Sequence, residues 1–332
     1  MSVAAAIPVF CLCVGASVAA SLVFGRTLDR VSERLGASEG LHGILTALGA
    51  DAPEISTAVV ALASAHGKLG VGVVVGWNVF NLAALLGLSA IVAGEVAVHR
   101  HGLLLNGGAA LAVTAIGTAL VLDAIGAVAA FVLLAAVILP YVYLLSISPA
   151  RLQRVLPAGP VERFVVAAVR EEVEDLQTGD RAPQATRTDG AVLVVALAVI
   201  VGASFGLVEA ATDLGGHWGV SDVIVGTLVL ASLTSLPNLL TAVRLALHGR
   251  GAAVASEALN SNSLNILAGV AIPALFVSLG SRTGIETFAV WWLVGMTVVA
   301  VAQAYAGHGL RRLEGWTLVV LYAAFVIVVA TQ

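Results

Sequence analysis

Long apolar stretches alternate with short polar segments along nearly the whole chain. A helix needs about 20 mostly apolar residues to cross the hydrocarbon core of a bilayer, and ten stretches come close to that length. They lie at about 3–25, 40–65, 69–93, 103–122, 125–147, 189–210, 221–247, 252–279, 285–305 and 314–331. The pattern predicts an all-α protein with ten membrane helices, called spans one to ten below, and no separate soluble domain.

The composition also places the chain in lipid. Hydrophobic residues make up 59% of its 332 residues, charged residues only 11%, and the mean hydropathy is +1.02. Few soluble proteins can bury so much apolar surface. We therefore expect a lipid bilayer around the protein and no nucleic-acid partner, while the identity of any protein partner stays open.

The basic residues are distributed unevenly between the loops. Fourteen of the 16 Lys and Arg residues fall in the loops that follow spans one, three, five, seven and nine. The positive-inside rule predicts that these odd-numbered loops lie in the cytoplasm and that both termini lie outside. The protein is therefore expected to be a multi-pass protein of the plasma (cytoplasmic) membrane.

The chain divides into two five-helix halves, residues 1–147 and 189–332. The cytoplasmic linker between them, residues 148–188, contains four prolines and a short predicted helix at 160–176. That helix carries an acidic run of Glu171, Glu172, Glu174 and Asp175. We interpret the run as a solvated helix face, and a cation sensor is the alternative.

A short motif occurs once in each half. The first copy, within about 40–93, reads Gly49-Ala50-Asp51-Ala52-Pro53-Glu54 and then Trp77-Asn78-Val79-Phe80-Asn81. The second, within about 221–279, reads Leu233-Thr234-Ser235-Leu236-Pro237-Asn238 and then Ser261-Asn262-Ser263-Leu264-Asn265. Equivalent residues are 184 positions apart throughout. Because span two runs outward and span seven inward, the copies have inverted topology, which is typical of secondary transporters built around one ion site.

Each copy has a proline in the middle of its span, Pro53 or Pro237. Proline has no backbone N–H, so the carbonyl four residues earlier loses its helical partner. An unpaired carbonyl is costly in hydrocarbon. Two helix kinks at matching positions of an inverted repeat favour a bound cation as the new partner.

Two acidic residues lie in the middle of span two. Asp51 and Glu54 are three residues apart and therefore share one helix face. A charge at this depth costs at least ~2.5 kcal/mol, and span two contains no Lys or Arg. A cation or protons must balance the pair, and carboxylate oxygens suit hard metal ions such as Na⁺, Ca²⁺, Mg²⁺ or Mn²⁺. A protonated carboxyl that bonds a neighbouring helix is the alternative.

Asparagine pairs follow in spans three and eight, Asn78 with Asn81 and Asn262 with Asn265. The i, i+3 spacing puts each pair on one helix face. Their carbonyl oxygens can coordinate a cation, or their amides can clamp two helices together. The duplication favours a cation site, so inorganic cations are the expected ligands, and we expect no cofactor.

The doubled motif resembles the two α-repeats of the cation/Ca²⁺ exchanger superfamily, whose sodium/calcium exchanger-like members carry G-T-S-x-P-E followed by G-S-N-x-F-N in each repeat. The resemblance extends to span count, linker position and inverted topology. It implies that spans two, three, seven and eight enclose the ions, while spans one and six slide across them. It also implies that Glu54 is a main cation ligand. It implies a further ligand from the backbone of Ala50. The other ligands that it implies are Asn81, Thr234, Ser235, Ser261 and Asn265.

The sequence departs from that family pattern in both repeats. Asn238 replaces the glutamate of the second repeat, and Trp77 replaces a small serine of the first. Ala50 and Asp51 stand where Thr and Ser are usual. The site is therefore expected to hold two carboxylates, both from span two, with Asn238 retained among the candidate ligands. Trp77 is expected to fill space where an ion usually lies.

The expected function is a secondary-active cation antiporter and not an enzyme. Ca²⁺ is the expected substrate, and Na⁺ or H⁺ is the counter-ion. Two adjacent carboxylates resist ionising together in a low dielectric, so protons are expected to compete with the cation. Two alternatives stay open: a Na⁺/H⁺ or other monovalent-cation/H⁺ antiporter on the same fold, and a transport-inactive sensor or scaffold.

Overall fold

Helices make up nearly all of the computed structural model, which describes residues 1–34, 39–63, 67–177, 186, 188–221, 224–279 and 284–331. The helices of the first half are α1 (Val3–Arg34), α2 (Glu39–Ala63), α3 (Gly67–Asn81, continued by a π-helical segment Leu82–Leu88 and by Ser89–Ala93), α4 (Arg100–Val121) and α5 (Ala127–Ser146). Two shorter helices, α6 (Pro149–Val155) and α7 (Pro160–Gln177), form the described part of the linker.

The second half repeats the arrangement with five further helices. They are α8 (Asp189–Trp218), α9 (Val225–Thr234 and Leu236–Leu247), α10 (Gly251–Ile266, continued by a π-helical segment Leu267–Ala271), α11 (Gly284–Gly307) and α12 (Arg312–Ala330). The π-helical segments of α3 and α10 each begin just after the last asparagine of a motif copy. The two halves therefore share an irregular helix at equivalent positions.

Each predicted span coincides with one helix of α1–α5 or α8–α12. Seven of the helices in the described residues are long and apolar enough to cross a membrane, and the bent pair that forms α9 makes an eighth. Helices α2 and α10 are not among these eight, and they carry much of the polar motif. The predicted all-α membrane fold in two halves is confirmed.

The first helices of the two halves, α1 and α8, pack antiparallel along their length. An ion pair joins them at each end. Arg30 Nη2 lies 2.9 Å from Asp189 Oδ1, and the terminal amine of Met1 contacts Asp213. Only 17% of the apolar stretch of α1 is buried, compared with 89% for α3, so α3 is central and α1 peripheral.

The described parts of the third, fifth and ninth loops lie together on one face of the helix bundle. The third and ninth loops pair as a two-stranded antiparallel sheet of β1 (Glu95–Ala97) and β2 (Gly309–Arg311), which the sequence analysis did not predict. The linker helix α7 packs against α4 and α10, at the first turn of α4 and the second turn of α10 on this same face. Because α2 starts at this face and α9 ends at it, the two motif-bearing helices run in opposite directions.

The linker helix α7 binds this face through residues that we interpreted as a solvated surface, and for two of them that interpretation is wrong. Glu171 accepts a hydrogen bond of 2.8 Å from the Gly102 N–H. Glu172 is only 7% exposed and accepts a hydrogen bond from Ser256. These donors come from other helices, so the local acidic pattern carried no sign of them. The side chains of the other two acidic residues lie outside the described part of the chain.

Helices α3 and α9 approach each other backbone to backbone at Gly76. A Cβ atom added there would lie 2.3 Å from the Thr227 carbonyl oxygen, so a glycine is required at this crossing. The close approach places the motif residues that follow Gly76 directly against α9.

Candidate functional site

The two motif prolines have different effects on their helices. Helix α2 continues through Pro53 without a break, whereas α9 breaks at Ser235, just before Pro237, and bends by 50°. The sequence predicted a kink at both prolines, and within the described residues the structure shows a break only in α9. In α2, the carbonyl that Pro53 leaves without a helical donor belongs to Gly49. The Ser21 hydroxyl of α1 lies 3.4 Å from that carbonyl, which provides a substitute donor.

The two carboxylates of α2 form the centre of the site. Asp51 and Glu54 are 1% and 0% exposed. Asn238 of α9 bridges them, because its Nδ2 donates to Asp51 Oδ1 at 2.8 Å and to Glu54 Oε1 at 3.0 Å. The second repeat thus meets the carboxylate pair with a neutral amide.

Helices α10 and α3 complete the site. Ser261 Oγ donates to Asp51 Oδ1 at 2.7 Å, and Asn265 Nδ2 donates to Glu54 Oε2 at 2.5 Å. From α3, Asn81 Nδ2 donates to Ser261 Oγ at 3.1 Å. The four helices that the resemblance placed around an ion therefore meet at the carboxylate pair.

Asn78 and Asn262 join two helices, which is one of the two roles that the sequence left open, and the role of Asn78 as a cation ligand stays a prediction. The Asn78 Nδ2 donates to the Asn262 carbonyl at 3.2 Å, and the Asn262 Nδ2 donates to the Asn78 carbonyl at 3.1 Å. This reciprocal pair clamps α3 to α10. The structure separates each predicted asparagine pair: the first members join two helices, and the second members, Asn81 and Asn265, reach the site.

Several buried oxygen atoms of the site have no hydrogen-bond partner among the described residues. They are Asp51 Oδ2, Asn81 Oδ1, Asn238 Oδ1 and Asn265 Oδ1. An unpaired buried polar group costs about 1–3 kcal/mol, and carboxylate and amide oxygens are the ligands that hard cations prefer. Within the described ranges, no three His, Cys, Asp or Glu side chains cluster so as to hold a metal. The donor set is therefore two carboxylates surrounded by neutral oxygens.

Trp77 closes the site against α9. Its side chain is 0% exposed, and its Nε1 donates to Thr234 Oγ1 at 2.6 Å. The Thr234 hydroxyl in turn donates to the Leu230 carbonyl at 2.8 Å. Both its proton and one of its lone pairs are engaged, so this predicted ligand is less available than the sequence implied.

The remaining predicted ligands lie close by. Ser235 is fully buried at the break in α9, and its Oγ atom has no hydrogen-bond partner among the described residues. Ala50 is half-buried and immediately precedes Asp51 on α2. Their roles as cation ligands stay predictions.

One acidic residue near the site, Glu257, was not predicted from the sequence. Glu257 lies on α10 one helical turn before Ser261, and its Oε2 atom is buried without a hydrogen-bond partner in the described part of the chain. The i, i+4 spacing to Ser261 is the signal that would have found it. Comparison of the motif copies overlooked it because the equivalent position of the first copy is Val73.

Sequence comparison gives a family match over both halves. The model of the family described as "Sodium/calcium exchanger protein" matches residues 5–150 and 189–331. Sodium/calcium exchanger MaX1 of Methanosarcina acetivorans is 28% identical over 131 residues, which are 40% of this chain and 37% of that protein. Human sodium/potassium/calcium exchanger 1 is 29% identical over 133 residues, which are 38% of this chain and 12% of that protein. These matches span less than half the length of the relatives.

Solved structures share the fold over nearly the whole chain. A structure of the sodium-calcium exchanger NCX_Mj superposes with a TM-score of 0.64 at 19% identity and covers 98% of each chain. The H⁺/Ca²⁺ exchanger CAX superposes with a TM-score of 0.72 at 15% identity and covers 98% of this chain and 85% of that one. At such identities the likeness shows a common fold and leaves the transported ions to be argued from the site.

Proposed function

The chain belongs to the sodium/calcium exchanger protein family, and we propose that it exchanges Ca²⁺ for Na⁺ or H⁺ by alternating access. That family consists of transporters and not of enzymes. The observation that carries the proposal is the buried Asp51–Glu54 pair, which accepts hydrogen bonds from amide and hydroxyl groups of two other helices, α9 and α10. Unpaired oxygens at the same place provide further ligands for a hard cation.

The charge of the pair supports a divalent substrate. Fully ionised, Asp51 and Glu54 carry two negative charges, which one Ca²⁺ ion neutralises. Asn238 adds no charge, and the ion pairs of the described residues involve neither carboxylate. The names of the similar proteins, namely sodium/calcium, sodium/potassium/calcium and H⁺/Ca²⁺ exchangers, share calcium and differ in the other ions.

Asn238 provides a way to bind and release the cation. Its NH₂ group lies between the two carboxylates and donates to both, while its Oδ1 is unpaired. Rotation of the amide by half a turn exchanges the positions of the NH₂ group and the oxygen, because the two ends of the amide have nearly the same shape. A donor that holds the carboxylates together is thereby replaced by an oxygen ligand for Ca²⁺.

Protons compete with the cation at the same pair. Asp51 and Glu54 share one hydrogen-bond donor, the Asn238 amide, in a buried site of low dielectric. Repulsion between their charges is therefore weakly screened, and the two carboxyls resist ionising together. A proton held by either carboxyl must leave when Ca²⁺ arrives, which is the minimal requirement for Ca²⁺/H⁺ exchange. Na⁺ is the alternative counter-ion, since the neutral oxygens around the pair are also suitable ligands for it.

We assign the gate to the peripheral pair α1 and α8. Among the described residues, two hydrogen bonds join α1 and α8 to α2: Ser21 donates to the Gly49 carbonyl at 3.4 Å, and Thr57 donates to the Ser204 hydroxyl at 3.2 Å. Sliding of α1 and α8 therefore breaks few strong polar contacts, whereas α3 and α10 remain clamped. This division suits alternating access around a fixed site.

Flux in proteoliposomes tests the proposal when Ca²⁺, Na⁺ and H⁺ gradients are imposed one at a time. We expect Ca²⁺ uptake that is driven by an outward Na⁺ or H⁺ gradient. Flux of monovalent cations alone would support the monovalent-cation/H⁺ alternative. The absence of all cation-dependent flux in folded protein would support the sensor or scaffold, which the seal between Trp77 and Thr234 favours.

A further inference from the structure

Glu257 lies on the same face of α10 as the residues that contact the carboxylate pair. Positions 257, 261 and 265 are successive i+4 neighbours and therefore follow one stripe of the helix. Ser261 donates to Asp51, and Asn265 donates to Glu54. Glu257 extends this stripe by one further turn, about 6 Å along the helix axis.

The surroundings of Glu257 leave its charge unbalanced by protein groups. Its Oε2 atom is buried and has no hydrogen-bond partner among the described residues. Its helix, α10, packs against α2, which carries Asp51 and Glu54. The ion pairs within the described ranges do not include Glu257. A carboxylate at membrane depth is costly unless a cation or a proton balances its charge, and an incoming cation can take the place of the proton.

Glu257 breaks the internal symmetry of the repeat. Its equivalent in the first half is Val73, which is 0% exposed in the apolar core. The second half has lost the other carboxylate of the repeat, since Asn238 is the equivalent of Glu54. The second half therefore contributes its carboxylate at a new place, one that has no counterpart across the pseudo-two-fold axis.

That place is displaced toward one side of the membrane. The neighbouring Ser256 binds Glu172 of the linker helix α7, so Glu257 lies between the carboxylate pair and the face that carries the linker. Glu257 is not a third ligand in the same coordination sphere, because no three acidic, His or Cys side chains of the described residues surround one point. It is a separate position on the way to the pair.

We propose that Glu257 forms a second binding position for the cation, occupied as the ion passes between the linker face and the Asp51–Glu54 pair. The proposal rests on the proposed function, since it assigns the residue to the path of the same ion. It predicts a sided effect, because an ion that approaches from the opposite face does not pass Glu257 before it reaches the pair.

The test uses the full-length protein in proteoliposomes of defined orientation, with Ca²⁺ offered to one face at a time. We expect Glu257→Gln to raise the half-saturating Ca²⁺ concentration about tenfold or more at the linker face and to leave it within about twofold at the opposite face. Glu257→Asp is expected to give an intermediate value. Glu286→Gln is the control for loss of a membrane carboxylate elsewhere, because Glu286 is 5% exposed and lies in the first turn of α11 at the other face. An unchanged concentration at both faces, or an equal rise at both, would overturn the proposal.

Two further measurements separate this proposal from the proposed function. The midpoint temperature of thermal unfolding of Glu257→Gln should be equal to or higher than that of the unaltered protein, since the substitution removes a buried unpaired charge. If Glu257→Gln fails to fold, Glu257→Asp decides the outcome. If the unaltered protein transports no cation, the proposed function is wrong, and equilibrium Ca²⁺ binding by the solubilised protein decides the role of Glu257. Weaker binding by the Gln variant would then support a Ca²⁺ position at Glu257, and equal binding would contradict it.

Discussion

Asn78 and Asn262 each donate a hydrogen bond to the backbone carbonyl of the other, at 3.2 and 3.1 Å, across a sequence separation of 184 residues. That separation is the offset of the repeat, so each residue meets its own symmetry equivalent. A contact of this kind forms only on the pseudo-two-fold axis. The axis therefore passes between α3 and α10, and the carboxylate pair lies beside it.

We predict that Asn78→Ala and Asn262→Ala each destabilise the protein by about 0.5–1.5 kcal/mol, because each removes one of the two buried hydrogen bonds that join α3 to α10. The double variant should lose less than the sum of the single losses, since the two bonds act as one clamp. Thermal unfolding of the four proteins in lipid measures this coupling. A loss in the double variant that equals the sum of the two single losses would contradict the clamp.

We predict that Asn238→Glu tightens divalent-cation binding. The substitution adds a third negative charge beside Asp51 and Glu54, and it removes the NH₂ group that donates to both. Repulsion between the three carboxylates destabilises the cation-free site. Because Ca²⁺ relieves that repulsion, binding becomes more favourable. Equilibrium Ca²⁺ binding at neutral pH measures the effect. Combination with Asp51→Ser restores one acid per repeat, and unchanged selectivity in both variants would show that Asn238 does not face the ion.

Cation binding should weaken as the pH falls from about 8 to about 5. The carboxylates bind the cation in their ionised form, and low pH favours the protonated form of a pair that resists double ionisation. Binding should also release protons, which a pH indicator in weakly buffered solution detects. Asp51→Asn removes one member of the pair and should reduce this release. Binding that is flat over the whole range would refute the shared-proton scheme.

We predict that the linker lies in the cytoplasm. The contacts of α7 and of the β1–β2 pair place the described parts of the third, fifth and ninth loops on one face of the bundle, and arginine asymmetry predicts that this face is cytoplasmic. Ala158 is exposed between α6 and α7. In a background in which both native cysteines, Cys11 and Cys13, are replaced by alanine, a cysteine introduced at Ala158 should react with a membrane-impermeant maleimide only after the cells are opened. Reaction on intact cells would reverse the orientation.

The sequence predicted well those features that depend only on the local sequence of each repeat. Hydrophobic length located ten helices, and the constant offset located the helices that meet at Asp51 and Glu54. The sequence could not predict that α9 breaks before Pro237 while α2 continues through Pro53, because the difference depends on contacts that each helix makes with other helices. Ser21 of α1 supports the carbonyl before Pro53, while α9 breaks at Ser235.

Tertiary contacts also explain what was missed. Glu171 and Glu172 look like a solvated surface until α4 and α10 supply their donors. Glu257 has no counterpart in the first repeat, so a search for repeated residues passes over it. Asymmetric features of a duplicated protein are the ones that comparison of its halves cannot find.

The most direct test of the account is Ca²⁺ uptake into proteoliposomes by the unaltered protein and by Glu54→Gln, with Glu286→Gln as the control for a buried carboxylate elsewhere. Glu54 is 0% exposed and accepts hydrogen bonds from α9 and α10, so its amide variant should keep the fold while the pair loses the charge that balances Ca²⁺. We predict gradient-driven uptake by the unaltered and control proteins and a loss of at least about a hundredfold in Glu54→Gln, with equal thermal stability. Near-normal uptake by folded Glu54→Gln would contradict the assignment of the cation site to the Asp51–Glu54 pair.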